Sequence, residues 1–418
     1  MNDAPNLVLI TVDSLRADYC GFMRENGSHT PIMDRMADNG LVFENAIAPG
    51  PATLDSMPVI FSGEYYPKPD PNWSAIGDPD VIRGHMQSRE TIPERLADRG
   101  YETAAFTTNP WTSRQYGFDD GFDHFEDFMD VDTKTDGPVG RFLETVATDD
   151  DGTPRIEPLK LVLDWHRQTD MFQSWDTFYD DIVEWTENAT EPYFLWIFLV
   201  DTHMPFLPID EFRSQSRLAT YASNLWLYLD DRRFESILGE RLRTAYTDTV
   251  EYVDDRIGRL ADDLSDHDPV FVLHGDHGEE FGEYGDYGHG QRLSEELIHV
   301  PLLVTNGPRG RIERPFSLVD LPELLERLAD DREIDELPRP VVKSRNFDPK
   351  IAVRGADWKY VLDVDGEHLF DPSTGRTLTD ETGLLALGRD VATRWQNDET
   401  ERQEILRSVH ELVENEPI

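Results

Sequence analysis

The segment from Val272 to Gly290, VLHGDHGEEFGEYGDYGHG, gathers three histidines, five carboxylates and six glycines behind a short apolar run. Two chemistries fit such a set. In an acidic chain it is a solvated loop. Alternatively, Asp276 and His277 put a carboxylate and an imidazole on adjacent positions, the donor types that hold a divalent cation. Gly275 and Gly278 flank the pair and are expected to let the backbone turn sharply. Asp13 closes the apolar run NLVLITVD and offers a second carboxylate. Strand-end aspartates also cap helices, so both readings stand on these residues alone.

A metal centre needs its ligands brought together from separate elements. NLVLITVD, YETAAFTTN, YFLWIFLVD, PVFVLHGD and VPLLVTN read as strands, four of them continuous apolar runs of the kind buried on both faces. Helical patterns lie between them. Thr30 is an expected N-cap with Pro31 behind it, opening a helix that stops at Gly40, and TIPERLADRG repeats that grammar. Val250, Val253, Ile257, Leu260 and Leu264 recur on one face of a helix expected over 246–264. Strands alternating with helices predict an α/β fold with a large, mostly parallel covered sheet. Asp13, Asn109, Asp201 and Asp276 then fall at or just past the carboxyl ends of strands, the edge where open α/β sheets bind ligands. That shared edge weighs against the solvated-loop reading. Residues 1–335 are expected to form the catalytic domain, with 130–190 a polar, helical insertion or lid. A linker near 328–340 leads to a small subdomain, 340–418. In it an antiparallel hairpin turns at Asp365-Gly366, and a charged helix runs roughly from Asp398 to Glu414.

The chain carries 84 acidic residues against 39 Lys+Arg, a formal charge of -45, and only six of the cations are lysine. The carboxylates are spread over the whole length. Such a surface resembles that of salt-adapted, halophilic (haloarchaeal) proteins, which charge keeps soluble. Nucleic acid and anionic membranes need a basic footprint, so neither is an expected partner. An anionic substrate would need a local positive site, which a metal ion supplies. Cys20 is the single cysteine, so no intrachain disulfide forms. The first strand-like run begins at Asn6 and no apolar stretch approaches ~20 residues. The expectation is a soluble, cytoplasmic protein with no signal peptide and no membrane span. Nothing in the pattern specifies an oligomer.

LVLITVDSLRAD, HTPIMDRMADNGLVFENAIA, LVDTHMPF, GDHGEEFGEYGDYGHG and LSEELIHVPLLV follow one another as in the sulfatase branch of the alkaline phosphatase superfamily, which the chain resembles over roughly residues 5–310. AVRGADWKYVL is similar to the family's small C-terminal sheet. The resemblance implies an alkaline-phosphatase-like α/β/α sandwich and one divalent metal beside a covalent nucleophile. Carried over, Asp13, Asp276 and His277 are metal ligands. The nucleophile segment departs from the family's C/S-x-P-S-R. Counting back from Ser62-Gly63 in PATLDSMPVIFSG puts Thr53 at the nucleophile position, Asp55 at the proline, Ser56 at the serine and Met57 at the arginine. Cys20 lies elsewhere, so formylglycine cannot be made there from cysteine. Thr53 is the implied nucleophile and a fourth metal ligand. Ser56 is the rival hydroxyl, and a helix-capping role for Thr53 stays open.

His203 matches the family's substrate-binding histidine, and His289 its lysine or histidine on the transferred group. Both are candidate proton donors. Asn109, Arg16 and Ser56 are candidate substrate contacts. His274, Glu279, Glu280 and Glu283 are expected beside the site or on the surface. Asp201 is followed by Pro205 where a second-metal branch has histidine, so one metal is implied. Hard oxygens with one imidazole favour Mn, Mg or Zn, with Ca possible. The implied activity is hydrolysis of phosphate or sulfate esters, phosphoesters preferred, on a small molecule, glycan or lipid head group. The alternatives are a phosphoglycerol- or phosphoethanolamine-type transferase, whose usual membrane helices are missing, and a non-catalytic metal- or glycan-binding pseudoenzyme.

Overall fold

The computed structural model describes residues 4–24, 29–66, 78–128, 174–228, 234–290, 292–346, 350–379 and 381–415. The central sheet is built from β1 (Leu7–Val12), β2 (Leu41–Phe43), β3 (Glu102–Thr107), β4 (His124–Glu126), β5 (Tyr193–Leu199), β6 (Val270–Gly275), β7 (Leu302–Thr305) and β8 (Gly310–Ile312). Their spatial order is β8-β2-β7-β6-β1-β5-β3-β4. β1 pairs in parallel with both β5 and β6, and β3 in parallel with β4 and β5. β7 alone runs against the rest. The reason is its connection: the chain from Asp276 to Pro301 folds back over the carboxyl edge of the sheet, so it re-enters β7 in the opposite sense.

The apolar runs follow from burial on both faces. Along β1, Leu7 and Leu9 join one core while Val8, Ile10 and Val12 join the other, all fully buried. Helices cover each side. α1 (Pro31–Ala37), α4 (Tyr179–Asn188) and α5 (Glu235–Asp263) send Met33, Ile182, Val250, Val253, Ile257 and Leu260 into one core. α2 (Thr53–Ser62), α3 (Ile92–Ala97) and α6 (Leu321–Ala329) send Met57, Ile60, Leu96 and Leu324 into the other.

Three local expectations are corrected. Thr30 holds the N-cap position of α1 but makes no side-chain capping bond: its hydroxyl accepts from Gly21 N and donates to the Asp34 carboxylate. The Asp254 carboxylate, on α5, accepts from Ile32 N and Met33 N at 2.9 and 2.8 Å instead. α5 also starts well before 246, because its first turns bury little beyond Gly239, Leu242 and Ala245 and so carry a thin apolar stripe. The C-terminal sheet, β9 (Val342–Arg345), β10 (Ile351–Arg354), β11 (Lys359–Asp363) and β12 (Gly366–Phe370), is antiparallel throughout. Asp363 pairs with Gly366, so its last turn is Val364-Asp365, one residue earlier than expected. The helix after it, α7, spans Thr382–Asn415 and packs Ala392 and Trp395 against this sheet.

β9 also touches the segment leading to α2: Ser344 Oγ donates to Ala48 O at 2.6 Å and Arg345 N to Pro49 O at 2.9 Å. Of the expected 130–190 insertion, 130–173 lies outside the described residues. Among the described residues no helix is long and apolar enough to cross a membrane.

Candidate metal centre

Register sets the site. Val12 stands level with Leu199 on one side and Gly275 on the other, so Asp13 and Asp276 leave neighbouring strands at one height. Gly275 and Gly278 serve close approach rather than a sharp turn. A Cβ on Gly275 would lie 2.6 Å from Leu15 O, and one on Gly278 1.9 Å from Glu296 O. The end of β6 and the loop after it therefore press against neighbouring backbone, which seats Asp276 and His277 beside Asp13.

The ligand atoms of Asp13, Asp276 and His277 lie within 4.8 Å of one another, and all three residues are fully buried. His277 Nδ1 lies 2.8 Å from Gly278 O. A carbonyl only accepts, so the proton is on Nδ1 and Nε2 presents a lone pair. That lone pair faces Asp13 Oδ1 at 3.3 Å, Asp276 Oδ2 at 3.6 Å and Thr53 Oγ1 at 3.3 Å. No hydrogen bond of ordinary geometry reaches the buried Asp276 Oδ2, although the Thr53 hydroxyl lies close enough to favour that carboxyl's charged form. An orphaned carboxylate oxygen beside an imidazole lone pair and a second carboxylate is a costly arrangement for protein atoms alone. It is a well-composed one for a cation, so the donor set fits a divalent metal.

Protonation agrees. Burial, with Asp276 alongside, holds the Asp13 carboxyl well above its usual range. Burial pushes Asp276 up to about 7. Burial and then the neighbouring His289 hold His277 well below the usual imidazole value, so its contacts with the carboxylates are not ion pairs. The remaining oxygens are steered by groups that the sequence pattern did not single out. Ser14, in the left-handed region at φ 59°, donates from N to Asp276 Oδ1 at 3.2 Å and from Oγ to Asp13 Oδ1 at 3.2 Å. Thr202 Oγ1 donates to Asp13 O. The one available signal for Ser14 is its place directly after a strand-end aspartate.

Thr53 is the first residue of α2, and Ala52 holds the capping position. Its hydroxyl turns to His277 at 3.3 Å, so the capping role is not the one it plays. The positive end of the helix dipole lies at the same spot. Ser56 is turned away: its hydroxyl donates to Gly50 O at 2.9 Å and accepts from Gly50 N at 3.2 Å. Asn109 Nδ2 donates to Asp13 Oδ2 at 2.7 Å, so it orients that carboxylate. Arg16 is taken by Asp18 at 2.8 Å and by Glu283 at 2.8 Å. His203, His289 and His277 form a row, with ring centroids 5.1 Å apart for the first pair and 4.5 Å for the second. Burial and the His289 charge push His203 down to about 3. Burial works against the charged form of His289 too, but Glu279, with Asp276 and Asp55, outweighs it and the value is raised. His274 sits within the sheet, bonded to Thr11 Oγ1 at 2.9 Å.

The sulfatase family model matches residues 5–323. The chain belongs to the sulfatase family. N-acetylgalactosamine-6-sulfatase from Mus musculus is 24% identical over 272 residues, 61% of this chain and 46% of that one. The chain thus spans about half the length of these curated relatives. Among solved structures, the phosphonate monoester hydrolase of Agrobacterium radiobacter superposes with a TM-score of 0.62 at 16% identity, covering 95% of this chain and 96% of that chain. The lipoteichoic acid synthase from Listeria monocytogenes does so with 0.59 at 14% identity, covering 96% and 93%. The fold is that of the alkaline phosphatase superfamily.

Proposed function

We propose that this chain is a metal-dependent ester hydrolase that prefers phosphoesters to sulfate esters and works through a covalent intermediate on Thr53. The observation that carries the reading is the Thr53 hydroxyl at the mouth of the Asp13–Asp276–His277 cluster, 3.3 Å from His277 Nε2. Asp13, Asp276, His277 and Thr53 would hold the ion, with Asn109 and Ser14 orienting the carboxylates. A divalent ion there supplies positive charge that acidifies the Thr53 hydroxyl and offsets charge on the ester. Thr53 gives up its proton to water, its Oγ attacks phosphorus, the bond to the alcohol oxygen breaks, and His289 gives that oxygen a proton; His203, neutral with its one proton on Nδ1 against Met204 O, can only accept there. Water then attacks the phosphothreonine in line and restores the hydroxyl.

The phosphoester preference rests on chemistry. Thr53 cannot form the geminal diol that expels sulfate by hemiacetal collapse, so a threonyl sulfate would wait for direct attack by water. Relatives named for sulfate, phosphonate and lipoteichoic acid chemistry support an anionic ester of a glycan, small molecule or lipid head group as the substrate class. Likeness to the Listeria synthase supports, as a second reading, transfer of the group to an alcohol in place of water. The acidic surface and the single, buried cysteine belong with a salt-rich cytoplasmic setting. A panel of aryl sulfate, phosphate monoester, phosphodiester and phosphonate in molar KCl, each with Mn, Mg, Zn or Ca, tests the reading. Metal-dependent turnover with a phosphoester fastest is expected. Absence of turnover in every cell, or sulfate fastest, would overturn it.

A further inference from the structure

The three imidazoles at the site are each anchored through Nδ1, but not to the same kind of group. His277 Nδ1 meets Gly278 O at 2.8 Å and His203 Nδ1 meets Met204 O at 2.6 Å, both backbone carbonyls. His289 Nδ1 meets a side chain, Glu279, at 3.1 and 3.3 Å to its two carboxylate oxygens. Glu279 is 1% exposed. Burying a carboxylate is costly unless it is partnered, so this glutamate is not a solvated loop residue.

Its placement follows from register. Glu280 pairs with Gly288 and Phe281 with Tyr287 in a short antiparallel hairpin. One step further along the same register sets Glu279 opposite His289, a cross-strand pair. Gly288 and Gly290, at φ 97° and 94°, flank His289 in backbone that glycine adopts freely, which lets the returning strand bring the ring over. On the outer side, Arg16 Nη1 donates to Glu279 O at 2.9 Å and holds the backbone.

We infer that Glu279 is a positioning residue for the proposed reaction: it takes the Nδ1–H of His289 and so presents Nε2, on the opposite ring edge, to the transferred group or the leaving oxygen. A carboxylate can only accept from Nδ1, so Nδ1 carries hydrogen whether the ring is neutral or charged, and the form with its sole proton on Nε2 is excluded. This inference rests on the assignment of His289 to the reaction, but its geometric half is independent of any substrate.

Two measurements on the full-length protein separate the two. Long-range proton–nitrogen correlation spectra of histidine-labelled protein read which ring nitrogen carries hydrogen, and loss of one signal set in His289→Gln assigns that ring among the twelve histidines. Wild type is expected to carry hydrogen on Nδ1 of His289. Glu279→Ala should move the ring toward the other tautomer, and Glu279→Gln, which keeps an acceptor oxygen and the side-chain volume, should hold it. On a phosphoester that the wild type turns over, kcat should fall about 10²-fold in Glu279→Ala, with KM changed less than about threefold and most of the loss recovered in Glu279→Gln. A wild-type ring with hydrogen on Nε2 alone overturns the inference, and so does an unchanged tautomer or kcat in a folded Glu279→Ala. If the alanine variant does not fold, the wild-type and glutamine spectra decide. If the wild type proves inert on every ester, the proposed function fails while the tautomer measurement still decides the geometry.

Discussion

Stripping and restoring the metal should move stability by an amount set by the site. With free metal at about 100 times its Kd, binding to the folded state alone contributes about 2.7 kcal/mol. Unfolding entropy of ~2.1 cal/mol/K per residue over 418 residues gives ~0.9 kcal/mol/K, so that binding energy raises Tm by ~3 °C. The pH dependence has a defined sign. In metal-free protein Asp276 titrates near about 7, above its unfolded value of about 3.9. Between those values the folded state holds more protons than the unfolded one, so metal-free stability falls as pH rises through that window. Metal must displace that proton and any held by Asp13, whose carboxyl burial also raises, so affinity strengthens as pH rises and drops at least about tenfold per unit below 7. Relative to pH 8, the metal-induced stabilisation at pH 6 should therefore be smaller by at least about 1.4 kcal/mol, or ~1.5 °C in Tm. Calorimetry of chelator-treated protein in molar KCl, with and without Mn at both pH values, reads this directly. Asp276→Asn should abolish the metal-induced gain. An equal gain in that variant, or a larger gain at pH 6 than at pH 8, would refute the ligand assignment.

Asn109→Ala removes the 2.7 Å bond to Asp13 Oδ2 and should weaken metal affinity about 10–100-fold, read by competition with a chelating dye. Gly278→Ala places a Cβ 1.9 Å from Glu296 O; it should cost about 1–3 kcal/mol in denaturant unfolding and lower metal occupancy, because His277 must move. A surface carrying a net -45 should repel itself when unscreened, so Tm should fall between molar and millimolar KCl as the Debye length grows from ~3 Å to ~30 Å or more; an unchanged Tm would contradict the salt-adapted reading.

The parts legible in the sequence were those with a physical reason to repeat. β1, β5 and β6 are buried on both faces, so they read as continuous apolar runs, and their ends marked Asp13 and Asp276. The parts that stayed hidden depend on partners far along the chain. Nothing local to Thr30 reveals that Asp254, 222 residues beyond Ile32, supplies the cap. Ser14 and Thr202 act through a backbone bend and a hydroxyl, neither of which has a periodic signature. Glu279 is one acidic residue among many, and only the register of a two-residue ladder singles it out. Thr53 lies between these cases. Its type alone fits a helix cap, and it took the spacing to Ser62-Gly63, set against a family pattern, to suggest chemistry.

Trapping the intermediate tests the central claim most directly. A slow phosphoester substrate, quenched in acid during turnover, should leave the chain heavier by one phosphoryl group, and peptide mapping should place that group on Thr53. Thr53→Ala should lose the adduct and turnover while retaining the fold and most metal affinity, and Thr53→Ser should keep both in part. An adduct on Ser56, or full turnover by Thr53→Ala, would contradict the account.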